Sequence, residues 1–114
     1  MERENNFDFQ KTVEDFNKEK SCHEKPMPIS ARLLDIESEL GELAKEYLKP
    51  TSYGTKEFIV TEDYKLEFGD VLYSLLSLAN ESNIDARECL EKVIEKYRKR
   101  LQNKNTMDSK ADKQ

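Results

Sequence analysis

The chain has 114 residues, 38% of them charged, with 19 Lys and Arg against 24 Asp and Glu for a formal net charge of −5. That length bounds a single domain with a small core, and the acidic balance argues against duplex nucleic acid as a partner, because such binding rests on neutralising phosphates. No apolar run approaches the roughly 20 residues that span a bilayer, and the opening MERENNFDFQ carries no apolar signal-peptide segment, so a cytoplasmic protein without membrane contact is expected, with Cys22 and Cys89 as free thiols.

Phe9, Val13 and Phe16 recur at helical spacing and predict a first helix from Phe7 to about Lys20. Cys22-His23 follows in a polar stretch with no second Cys/His pair, and reads as loop, not half a metal site. Pro26 and Pro28 break the chain. Ser30 is the expected N-cap of a long helix that reaches Tyr47 or Leu48, stops before Pro50, and presents Leu33, Ile36, Leu40, Leu43 and Tyr47 as its core face. The segment from Lys49 to Val60, with Pro50, Thr51, Ser52 and Gly54, reads as a loop of the kind that closes over ligands, with Phe58-Ile59-Val60 as a short extended piece.

Thr61, followed by Glu62 and Asp63, predicts the N-cap of a third helix ending at Asn80 or Ser82. After a turn at Asn83-Ile84-Asp85, Asp85 with Glu88 in the capping-box position opens a fourth helix. Its apolar stripe is Ala86, Leu90, Val93, Ile94, Tyr97 and Leu101, and Cys89 reads as a small core residue. The domain is therefore expected over 1–101, as an N-terminal helix plus a core in 30–101, and 102–114 as a disordered polar tail with almost nothing to bury. A bundle this small leaves apolar surface uncovered, and association with further copies of itself is expected.

Two acidic pairs carry the chemistry: Glu39-x-x-Glu42 on the second helix and Glu67-x-x-Asp70 on the third. Residues three apart share a helix face, so two such helices side by side bring four carboxylates to one spot. A charged stripe on one helix is ordinarily just its solvated face. On the third helix, however, Glu67, Asp70, Ser74, Ser77 and Glu81 fall on one arc without any Lys or Arg, opposite Phe68, Val71, Leu72, Leu75, Leu76 and Ala79. Like charges so gathered repel, and a cation must offset them. Hard oxygen donors suit Mg²⁺ or Mn²⁺ with a phosphorylated substrate. Di-iron bundles need Glu-x-x-His pairs, which the lone His23 does not supply.

LLDIESELGELAKEYLK and LEFGDVLYSLLSLANESNIDARECL, followed by KYRKRL, resemble over about Leu33 to Leu101 the MazG-like members of the all-α nucleoside triphosphate pyrophosphohydrolases. The resemblance implies an all-α, four-helix bundle that is dimeric or a dimer of dimers. It also implies Mg²⁺-dependent cleavage of an NTP or dNTP between the α- and β-phosphates to a monophosphate and pyrophosphate, with Glu39, Glu42, Glu67 and Asp70 at the metal-binding positions. Many relatives carry a doubled glutamate where this chain has Ser38, the first of the pair activating water; here Glu39 is left to orient the water as well as bind metal. Relatives also present a Lys and an Asn from the closing helix, where this chain has Val93 and Tyr97, so phosphate contacts fall to Lys96 or Arg100, and Asn80 and Tyr53 are candidates for the base. These departures keep two alternatives open: a nucleotide- and metal-binding regulatory protein with weak or no turnover, and a purely structural dimeric bundle.

Overall fold

The computed structural model describes residues 7–22, 25 and 27–112, with side chains through residue 104; His23 and Pro26 lie outside the described residues. Four α-helices follow one another, α1 (Phe9–Ser21), α2 (Ile29–Leu48), α3 (Glu62–Glu81) and α4 (Ala86–Asp112), and no strand occurs among the described residues. Among the described residues no helix is long and apolar enough to cross a membrane. The chain divides into two compact units, Met1–Asn83 with α1 to α3 and Ile84–Gln114 with α4.

Local chemistry sets most helix ends. Asp8 caps α1 by accepting from Lys11 N at 3.0 Å, Thr61 caps α3 by accepting from Tyr64 N at 3.1 Å, and Asp85 accepts from Glu88 N at 3.1 Å. The Glu88 carboxylate does not complete a capping box and instead meets Lys92 at 3.1 Å. Ser30 is not the cap of α2. Pro28 occupies that place, in extended backbone with no side-chain cap, and its carbonyl already accepts the first helical bond from Arg32 N at 2.9 Å, which puts Ser30 inside the helix. After Leu48 the chain turns through Ser52, Tyr53 and Gly54, all at positive φ. Thr51, fully buried, holds the turn: its hydroxyl donates to the Tyr47 carbonyl at 2.6 Å and accepts from Gly54 N at 2.9 Å. Phe58 sits between the rings of Tyr47 and Tyr64, at 5.1 and 5.0 Å, in backbone that is neither helix nor paired strand.

Within the first unit α1 and α2 both pack on α3. The buried apolar residues are Val13, Leu76 and Ala79, and they share the interior with Arg32, Ser74 and Ser77. Small hydroxyl side chains on α3 let two helices approach closely, provided each hydroxyl is hydrogen-bonded. Ser77 accepts from Asn17 Nδ2 at 3.0 Å and Ser74 donates to Asp35 Oδ2 at 3.1 Å. The Tyr73 hydroxyl donates to Asn17 Oδ1, and Asn80 exchanges two bonds with Gln10, at 3.0 and 3.1 Å. The expected core face of α2 is only partly covered, with Ile36 and Leu43 half-buried and Leu33, Leu40 and Tyr47 exposed, and on α3 Phe68 and Leu75 are exposed as well.

Helix α4 shows its apolar stripe to solvent. Leu90, Ile94, Tyr97 and Leu101 are exposed, and so is Cys89, contrary to its expected place in a core: the stripe that surrounds it is itself uncovered. With no Gly or Pro to interrupt it, the backbone of α4 stays helical as far as Asp112.

Candidate metal centre

Helices α2 and α3 run antiparallel, since partners ascend along one as they descend the other: Arg32 with Glu81, Asp35 with Ser74, Glu39 with Asp70 and Glu67. At the last of these levels one carboxylate oxygen from each of Glu39, Glu67 and Asp70 comes within 4.8 Å of the other two. Of the four acids expected to converge, three do. Glu42 is drawn off one turn along α2, where its carboxylate pairs with Lys45 at 3.2 Å. It still acts on the trio through space. The Glu39 carboxyl is held above its ordinary range by burial and then by the charges of Asp35, Asp70 and Glu42, and that of Glu67 by burial, then Asp70, Glu39, Glu42 and Glu46.

The donor set decides which cation fits. It holds oxygen alone, with no imidazole or thiolate, a set suited to a hard divalent cation. Glu39, Glu67 and Asp70 would hold one such ion between the two helices.

Ser38 and Glu37 are exposed. Tyr53 is 82% exposed at the left-handed turn after α2. Asn80 has both amide atoms on Gln10. Lys96 and Arg100 belong to α4, where each stands over the Tyr97 ring, at 5.7 and 5.9 Å.

One residue of this seam is absent from the sequence-derived set. Arg32 is only 5% exposed; its guanidinium meets Glu81 at 3.3 Å and Asp35 at 3.7 Å, and lies 5.9 Å from the centre of the Tyr73 ring. A lone arginine in the apolar run ARLLDI, three residues before an aspartate, was the available signal.

Residues 29–104, which contain the trio, match the model of the MazG nucleotide pyrophosphohydrolase domain. A relative is the uncharacterized protein YpjD of Bacillus subtilis (strain 168), 41% identical over 78 residues, which are 66% of this chain and 66% of YpjD. The chain thus spans just under two thirds of that relative's length. No solved structure matches it. With its family model covering both acidic motifs and an all-helical fold, the chain belongs to the MazG nucleotide pyrophosphohydrolase domain family.

Proposed function

We propose that the protein is a Mg²⁺-dependent nucleotide pyrophosphohydrolase that splits an NTP or dNTP between the α- and β-phosphates, releasing a monophosphate and pyrophosphate. The observation that carries this is the convergence of Glu39, Glu67 and Asp70 from two helices of a MazG domain. These three would hold the cation, with Glu42 able to join by leaving Lys45. When bound, Mg²⁺, or Mn²⁺ in its place, offsets the charge on the phosphate oxygens as the α-phosphorus is attacked.

The protein's own part is to place and deprotonate water. Glu39 lies between the helices, and its carboxyl takes up protons more readily than an ordinary glutamate because burial and three neighbouring acids oppose its charge. It orients the attacking water and accepts its proton as the oxygen–phosphorus bond forms and pyrophosphate leaves. Lys96 and Arg100 are assigned to the phosphates, and Tyr53 and Asn80 to the base end. The exposed apolar residues Leu33, Leu40, Leu90 and Leu101 support a homo-oligomer, a dimer or a dimer of dimers; a cytoplasmic location is part of the same reading.

The test is pyrophosphate release from a panel of NTPs and dNTPs with and without Mg²⁺. Release that requires Mg²⁺ and is lost in Glu39→Gln and Asp70→Asn is expected; no release from any nucleotide overturns the assignment. A second possibility, a nucleotide-binding regulatory protein with little turnover, is favoured by Ser38, whose exposed hydroxyl stands where relatives hold a water-activating carboxylate. Calorimetric nucleotide binding without pyrophosphate release would select it.

A further inference from the structure

The apolar residues Leu90, Ile94, Tyr97 and Leu101 of α4 are all exposed, and they follow one another at intervals of four, three and four residues. On a helix those intervals return to nearly the same direction, so the four side chains share an arc of about 60°. Alternation of four and three is also the spacing by which one helix packs along another. The two edges of the stripe differ. Ala86 and Val93 border it on one side and are half-buried, whereas Arg87, Glu91 and Arg98 border it on the other and are exposed. The open side of the stripe is therefore the side that carries an acid and a base seven residues apart, Glu91 and Arg98. Glu91 also meets Arg87 at 3.1 Å, an exposed pair that is readily shared with a further cation.

We propose that this face binds the same face of a second copy of the chain, with the two helices antiparallel about a two-fold axis that crosses between Glu95 and Lys96. The homo-oligomer proposed above thereby gains a defined surface and orientation, independent of the metal centre. What carries it is self-complementarity. Such an axis makes every contact twice: Leu90 lies against the partner's Leu101, and Ile94 against the partner's Tyr97, so each ring meets a smaller aliphatic side chain. On the open edge Glu91 faces the partner's Arg98 and Arg98 faces the partner's Glu91, two pairs of opposite charge. Other alignments lose this match. Sliding one helix by seven residues sets Arg98 against the partner's Arg98 or, in the other direction, Glu91 against the partner's Glu91, and like charges so placed reject the slipped register. A parallel pair in register stacks Tyr97 on the partner's Tyr97 and leaves Glu91 and Arg98 beside the partner's Ala86 and the partner's Val93, without any charge pair.

The test is the self-association of the full chain in EDTA, followed by sedimentation equilibrium across micromolar concentrations. Glu91→Arg and Arg98→Glu should each weaken it roughly tenfold, because the two-fold axis turns two attractive contacts into two repulsive ones. Helical content should not change, since both positions are exposed. Mixed in equal amounts, the two variants should associate as tightly as the parent, to within about threefold, because one then presents two bases to the other's two acids. Recovery in the mixture cannot come from contacts within one chain. A parent that is monomeric throughout, or single variants that associate as the parent does, overturns the proposal; the second result leaves a homo-oligomer held by another face. Variants that weaken association but do not recover on mixing overturn it too, since their charges then act elsewhere than across this axis.

Discussion

Arg32→Met tests whether a buried charge holds α2 to α3. The substitution keeps a long side chain in the space but strips the guanidinium from two carboxylates, Asp35 and Glu81, whose side chains are only 30% and 26% exposed. Removing one member of a buried ion pair costs about 3–5 kcal/mol, and the partial exposure of the two acids lowers that to about 2–4 kcal/mol. With a urea slope of about 1.5 kcal/mol per molar for a chain of this size, the unfolding midpoint should fall by about 1.3–2.7 M. Far-UV circular dichroism in urea, in EDTA, measures it. The triple variant Arg32→Met, Asp35→Asn, Glu81→Gln removes the uncompensated charges together and should regain most of the loss, since neutral replacement of a buried ion cluster is often tolerated. A single variant within about 1 kcal/mol of the parent, or a triple variant no more stable than the single, would show that Arg32 is not what stabilises this interior.

Glu39→Gln and Asp70→Asn should each lower Mg²⁺-dependent pyrophosphate release by about 100-fold or more with unchanged helical content, whereas Glu42→Gln, already paired with Lys45, should cost less; equal losses at all three would make Glu42 a full ligand. Because the Glu39 and Glu67 carboxyls are raised in the folded protein above their usual value near 4.5, the native state binds their protons more tightly than the unfolded one. Their contribution is therefore fully present below that value and is lost as pH rises through the raised folded values; in EDTA, urea midpoints of the parent should fall relative to Glu39→Gln/Glu67→Gln across this window, and parallel curves would contradict it. Mg²⁺ at 100 times its dissociation constant should stabilise the parent by about 2.7 kcal/mol, read as a higher melting temperature. Leu76→Ala, at a buried position, should cost about 2–4 kcal/mol; Leu75→Ala, at an exposed one, should cost under about 0.5 kcal/mol unless a second copy covers it, which light scattering of the two variants would reveal.

Features set by neighbours in sequence were legible from it. Thr61 and Asp85 cap their helices as their types and positions imply, and Pro50 follows the end of α2, because caps and breakers act over three or four residues. Ser30 misled for the same reason: its type fits a cap, but Pro28 already starts the helix. The grouping of Glu67, Asp70, Ser74, Ser77 and Glu81 on one arc followed from helical geometry, whereas the full burial of Ser77 depends on Asn17 arriving from α1, sixty residues away. Glu42 shares a stripe with Glu39, yet a lysine three residues on takes it out of the trio, a choice between partners that spacing does not make. Arg32 was overlooked because arginine is ordinarily a surface residue, and only the acids of two helices together explain it.

The pairings Arg32–Glu81 and Asp35–Ser74 also act as a key that fixes the register of the α2–α3 hairpin. Leucines interchange readily, so an apolar seam would allow one helix to slide a turn along the other at small cost. Here a one-turn slip in one direction sets Asp35 against Asp70, and in the other it sets Asp35 against Leu78. Both misalignments take Asp35 from the Ser74 hydroxyl and Glu81 from Arg32, and both would carry Glu39 away from Asp70. The alignment of Glu39, Glu67 and Asp70 is thus settled at the far end of the helices.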